Sequence, residues 1–195
     1  MSAVRISLPV TEETVRSLRA GDEVLLTGLV HTGRDRFHKH LAEGNPSPVD
    51  LRGGAVYHCG PVVVPDPGAP GAGWRVVAAG PTTSSREEPY MAGVIRREGL
   101  RAVIGKGGMG GKTVEACREC GCVYLQAVGG AAALLARCVE RVEEVHFLEE
   151  FGATEACWSL RVRDLPALVG IDASGRSLFA EVRESSREVL ARLLG

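Results

Sequence analysis

Two glycine-framed loops carry the residues whose types and spacing could do chemistry: Gly80-Pro81-Thr82-Thr83-Ser84-Ser85-Arg86 and, further along, Gly105-Lys106-Gly107-Gly108-Met109. Each follows a short apolar run, at 76–79 and 102–104, that reads as a buried strand, so hydroxyls and cations stand where a strand stops. Glycines let backbone N–H groups approach a bound oxyanion, and Arg86 and Lys106 supply the opposing charge. A third turn, Thr32-Gly33-Arg34-Asp35, adds a guanidinium. A small dicarboxylate needs two cationic clamps, hydroxyl donors and no magnesium, and Arg34, Arg86, Lys106, Thr82 and Thr83 are such a set. Each arginine alone would serve as well in a surface ion pair. Their shared position in Gly- or Pro-framed loops at strand ends favours an anion site.

The run from Lys106 to Thr113 also approaches a nucleotide phosphate loop, and Asp172 after an apolar stretch could pass for its magnesium aspartate. The spacing is wrong. The general form places a glycine five positions before the closing Gly-Lys-Ser/Thr, where this chain has Lys106, and the shorter lysine-led form has one glycine fewer. A loop whose N–H groups must wrap one phosphate is misaimed by an extra residue. A nucleotide-binding protein using Lys106–Thr113 stays as an alternative reading, as does a catalytically inactive module that binds a small carboxylate.

The elements that must position these loops alternate. Thr11 reads as the cap of a short helix ended by Gly21, and 23–30 as a strand whose near-continuous apolar character suggests burial on both faces. A helix is expected at about 36–43, strands at 55–59 and 74–79, and a surface connection between them at 65–73. Thereafter come helix 89–98, strand 102–104, helix 113–119, strand 122–125 and helix 131–137. Strand-like segments at 142–147, 156–162 and 167–171 have short connections, so the sheet is not purely parallel, and 182–194 reads as a closing amphipathic helix. This is α/β wiring, with ligand loops at strand C-termini. No repeat or long linker divides residues 1–195, which read as one domain.

With 23 basic against 24 acidic residues the net charge is −1, leaving no electrostatic footprint for nucleic acid or an anionic membrane. No apolar run approaches the roughly 20 residues that span a bilayer, and the opening segment lacks the apolar stretch of a secretion signal, so the chain reads as cytoplasmic. The six cysteines then read as reduced thiols. Cys117, Cys120 and Cys122 have no second cluster of matching spacing, and they read as small buried hydrophobes rather than metal ligands.

Further signatures run in order along the chain: Gly21-Asp22-Glu23, Thr32-Gly33-Arg34-Asp35 with His38-Lys39, Tyr57-His58-Cys59-Gly60-Pro61, the two glycine loops, Gly129-Gly130, Glu155-Ala156-Cys157-Trp158 and Ile171-Asp172. Together they resemble the beta subunit, or C-terminal domain, of class I iron–sulfur fumarate hydratases and L-tartrate dehydratases. The resemblance implies a swivelling β/β/α three-layer domain with a mixed sheet. It also implies a hydro-lyase that interconverts a 2-hydroxy dicarboxylate and its alkene, active only with an alpha subunit. That partner would hold the 4Fe-4S cluster, and a two-fold heterotetramer is the expected assembly. It assigns Arg34 and Arg86 to substrate carboxylates, with Thr83 and Gly105 beside them. Lys106 becomes a further cationic contact, and Thr82 stands next to the carbon that loses its proton. Asp35, His38 and His58 read as hydrogen-bonded loop residues first and as supporting groups second. The family commonly has methionine after the second arginine; this chain has Glu87, expected to point away from the clamp as the first-turn acid of the next helix.

Overall fold

The structure, a computed structural model, describes residues 3–194. Its strands are β1 (Val4–Ser7), β2 (Glu23–Thr32), β3 (Ala55–Tyr57), β4 (Val62–Pro65), β5 (Trp74–Ala78), β6 (Ala102–Gly105), β7 (Val123–Gln126), β8 (Val139–His146) and β9 (Cys157–Ile171). The helices are α1 (Glu12–Ser17), α2 (Asp35–Ala42), α3 (Glu88–Glu98), α4 (Gly111–Cys120), α5 (Ala132–Ala136), α6 (Leu148–Phe151) and α7 (Leu178–Leu194), with a 3-10 turn at Ser84–Glu87 before α3.

The main sheet runs in the order β1-β2-β3-β6-β7-β9-β8. Strands β1, β2, β3, β6 and β7 pair in parallel, whereas β9 runs antiparallel to both β7 and β2 and carries β8 antiparallel on its far part. Because β9 pairs with both β2 and β7, which are separated by β3 and β6, the sheet curls and closes upon it. This is the mixed α/β arrangement expected. Helices α2, α3 and α4 cover one face, where Phe37, Leu41, Met91, Ile95 and Cys117 meet Val56, Val103 and Tyr124. Alternate residues face the other side, so Val24, Leu26, Val30, Tyr57, Ile104 and Leu125 form a second core with Trp158, Leu160 and the hairpin of β4 and β5.

That curl explains where the sequence misleads. In β2 the burial alternates, with Val24, Leu26 and Val30 fully covered and Leu25, Thr27 and Leu29 only partly so; burial on both faces is confined to its end, at His31 and Thr32. Strand β9 is one element rather than two, since Arg163-Asp164 and Pro166 mark an irregularity and not a break. Asp164 takes a positive φ there and donates its N–H to Thr27 Oγ1 at 3.0 Å. Thr11 caps α1 as expected, its hydroxyl accepting from Thr14 N–H, but the helix ends at Ser17 before Gly21 is reached. Helix α7 begins at Leu178 and closes nothing: Phe179 packs against Tyr124, and Val182, Val189, Leu190, Leu193 and Leu194 stay exposed.

Parallel pairing puts the C-terminal ends of β2, β3, β6 and β7 on one edge of the sheet. The connections after Thr32, Tyr57, Gly105 and Gln126 therefore emerge side by side. Tyr57 adds a tether, its buried hydroxyl donating to Ala79 O at 2.5 Å immediately before Gly80.

Candidate active site

The first connection carries Arg34 and Asp35 at the start of α2. Arg34 lies across Gly60, where a Cβ would stand 3.0 Å from its Cδ and Nη1, so that glycine makes room for the guanidinium. Glu155 faces Arg34 at 3.4 Å. Its neighbour Asp35 accepts from Arg86, which ties the Gly80 loop to the same helix end. Both guanidiniums are thus held by carboxylates. Arg86 is half exposed, at 52% of its side-chain surface, and Arg34 less so, at 21%.

The second and third connections are stitched together by backbone. Thr82 N–H donates to His58 O at 2.7 Å, Thr83 forms a parallel bridge with Lys106, and Ser84 N–H donates to Lys106 O at 2.9 Å. Ser84 is the hub. Its hydroxyl lies 3.1 Å from Lys106 N, 2.9 Å from the Tyr124 hydroxyl and 2.9 Å from His58 Nδ1, and it is wholly buried. A Cβ on Gly105 would overlap that hydroxyl, which accounts for glycine at this strand end. The Lys106 side chain runs past Gly129, whose absent Cβ would sit 3.4 Å from its Cδ. At the rim, Thr82 and Lys106 are half-buried and Thr83 is exposed, whereas Gly105 is buried at the strand end beneath them.

Beneath the rim lies a buried polar layer. His38 and His58 meet edge to face with ring centroids 5.0 Å apart, and His38 Nδ1 stands 2.8 Å from Arg34 O. Burial pushes His38 down to about 4 and His58 well below the ordinary range, a second imidazole adding to the effect on His58, so both rings are neutral near pH 7. Glu87 turns inward rather than away: it is 1% exposed and its Oε2 lies 3.5 Å from His38 Nδ1. Burial first, and then the charge of Asp35, push its carboxyl up to about 8. The pair is therefore a neutral acid beside a neutral imidazole and not a salt bridge. A charge at Glu87 does not confront the clamp.

Glu88 bears on the nucleotide alternative. Its carboxylate accepts from Gly110 N–H at 2.7 Å, from Thr113 N–H at 3.3 Å and from the Thr113 hydroxyl at 2.7 Å, so it fills the N-terminus of α4 where a phosphate would have to lie. Asp172 is likewise engaged. It accepts from Ala20 N–H, Ser174 N–H and hydroxyl, and Arg176 N–H. Burial works against its charge, yet these bonds hold it below the ordinary carboxylate range, as the hinge of a turn and not a magnesium ligand. This geometry gives no support to Lys106–Thr113 as a phosphate loop.

A family model described as "Fumarase C-terminus" matches residues 1–182. The chain belongs to that family. It is 49% identical over 189 residues to a protein named putative fumarate hydratase class I from Geobacillus stearothermophilus, covering 97% of this chain but 36% of that one. A putative L(+)-tartrate dehydratase subunit beta of Methanocaldococcus jannaschii is 38% identical over 192 residues, 95% of each chain. The L(+)-tartrate dehydratase subunit beta of Escherichia coli is 39% identical over 178 residues, 90% of this chain and 86% of that one. This fumarase C-terminus chain thus spans about a third of the first relative and nearly all of the other two.

Among its described residues, no group of three or more His, Cys, Asp or Glu side chains is arranged to hold a metal ion. Burial pushes Cys59 and Cys157 up to about 12 and Cys122 well above the thiol range, so these are protonated core residues. No helix among the described residues is long and apolar enough to cross a membrane. Sequence reasoning assigned no role to Ser84, Glu88 or Tyr124. Ser84 stood inside the loop motif, but its role depends on contacts with β6 and β7 that no local pattern announces.

Proposed function

We propose that this chain is the substrate-clamping half of an iron–sulfur hydro-lyase, acting with a cluster-bearing alpha subunit as one domain over residues 1–195. What carries the reading is the gathering of Arg34, Arg86, Lys106 and Thr82 on loops from one edge of the sheet, in a chain of the fumarase C-terminus family. The reaction interconverts a 2-hydroxy dicarboxylate with its alkene, of the fumarate/malate or tartrate/oxaloacetate type. One C–H bond and the C–O bond on the adjacent carbon break, a C=C bond forms, and water is released; for tartrate the resulting enol becomes the ketone. The cluster, when bound by the partner, would supply Lewis acidity toward the departing hydroxyl.

This chain's residues supply the rest. Arg34 and Arg86 exchange Glu155 and Asp35 for the substrate's carboxylates, with forked donors suited to bidentate pairing. Thr83 and the Gly105 backbone border the site, and Lys106 lies where its ammonium balances charge developing on the substrate. Thr82 stands beside the carbon that gives up its proton; it would take that proton as its alkoxide, formed when an anionic neighbour accepts the hydroxyl proton and stabilised by a cation such as Lys106. The tagged chain drawn from its native cells should bring down an iron-bearing partner, and that preparation should interconvert one such pair of dicarboxylates. Isolation of the chain alone, with tight binding of malate or tartrate and no turnover, would favour the inactive carboxylate-binding module instead.

A further inference from the structure

We propose that His38, His58 and Ser84 form a relay of fixed tautomers, with the His58 proton on Nε2 and the His38 proton on Nδ1, that positions Lys106 and Thr82. The role of these positioning residues rests on the functional reading above; the tautomers themselves do not.

Donor counting fixes the first ring. Ser84 Oγ receives the Lys106 backbone N–H, which can only donate. Tyr124 accepts from Gly108 N–H at 3.3 Å, and if Ser84 also donated to it, the buried phenol proton would have no acceptor. Tyr124 therefore donates to Ser84, and both serine lone pairs are used. The single serine proton goes to His58 Nδ1, which must be bare, leaving the proton on Nε2. The second ring is fixed more simply. Arg34 O can only accept, so His38 Nδ1 carries hydrogen and its Nε2 is a lone pair. Among the described residues neither Nε2 has a partner, and the two rings stand 5.0 Å apart with one offering a donor and the other an acceptor. The two rings touch edge to face with no hydrogen bond between them, so packing joins the Arg34 turn to His58, and hydrogen bonds join His58 through Ser84 to the Lys106 amide. His58 O holds Thr82 N–H from the other side of the same residue.

The test uses the full chain with histidines labelled with nitrogen-15, since two-bond correlations between ring nitrogens and ring protons report the tautomer of each imidazole. Between pH 6 and 8, His58 should be the Nε2–H form and His38 the Nδ1–H form. A cationic ring, two rings of one tautomer, or His58 protonated at Nδ1 would overturn the relay, and this measurement needs no variant. In Ser84→Ala, with well-dispersed amide signals, His58 should lose its single tautomer, and the Lys106 and Gly108 amides should exchange with solvent at least tenfold faster; unchanged exchange would refute the hub. In the complex with the partner, Ser84→Ala should lower kcat/KM at least tenfold and Ser84→Thr should restore part of it. Full activity in Ser84→Ala would refute the positioning role. A wild-type complex without hydro-lyase activity would sink the functional reading, and the tautomers would still decide the relay.

Discussion

Replacing Glu87 by glutamine should stabilise the protein by an amount that grows with pH. The native carboxyl is buried and pushed from an ordinary 4.5 up to about 8, so a neutral amide of the same shape replaces a group that the fold already keeps neutral. Below pH 4.5 the acid is protonated in folded and unfolded chains alike, and the two proteins should differ little. Between 4.5 and 8 the unfolded wild-type chain releases a proton that the folded chain retains, so wild-type stability falls as pH rises through that window. Integrated across it, the loss is roughly 5 kcal/mol. His31 and His38, both pushed down to about 4 chiefly by burial, have the opposite sign: their stability is lost as pH falls from 6.5 toward 4. They are common to both proteins and cancel in the difference. Urea denaturation of wild type and Glu87→Gln at several pH values measures that difference directly. It should be near zero at pH 4.5, rise by several kcal/mol and level off above pH 8. A difference that does not change with pH would refute the neutral-acid account of Glu87.

Two other substitutions probe the frame of the site. Gly105→Ala forces a methyl group into the Ser84 hydroxyl and should cost about 1–3 kcal/mol, seen as a lowered Tm, together with loss of exchange protection at the Lys106 amide. Glu88→Ala removes the acceptor at the start of α4 and should cost about 1–2 kcal/mol without enabling Mg-ATP binding by calorimetry; micromolar nucleotide affinity in either protein would restore the phosphate-loop reading.

The rim of the candidate site was legible because its signals are local. Glycines, hydroxyls and cations at the ends of short apolar runs describe an anion-binding edge, and parallel wiring places such ends together. The layer below was not legible, because it depends on side chains meeting across strands. Nothing around Ser84 announces that His58, Lys106 and Tyr124 will converge on it, and of the adjacent Glu87 and Glu88 one turns into the core while the other reaches α4. The fold shows the same division. The alternating segments from 88 onward match their elements, but β1 and β4 are not anticipated; unlike the equally short β6 and β7 they are largely uncovered, with Ile6 the one buried residue of the two. The closure of the sheet by β9 is a long-range pairing hidden behind a polar bulge at Asp164. Amphipathicity in α7 describes a pattern without saying what, if anything, covers it.

The central claim is that these loops hold the ends of a dicarboxylate while a partner supplies the metal chemistry. Turnover of fumarate, malate and tartrate by the complex of this chain with its alpha subunit, wild type against Arg86→Ala and Lys106→Ala, tests it most directly. The account predicts that the wild-type complex converts at least one of these acids and that either substitution reduces turnover at least a hundredfold, with assembly and folding intact. Near-normal turnover in both variants would contradict it.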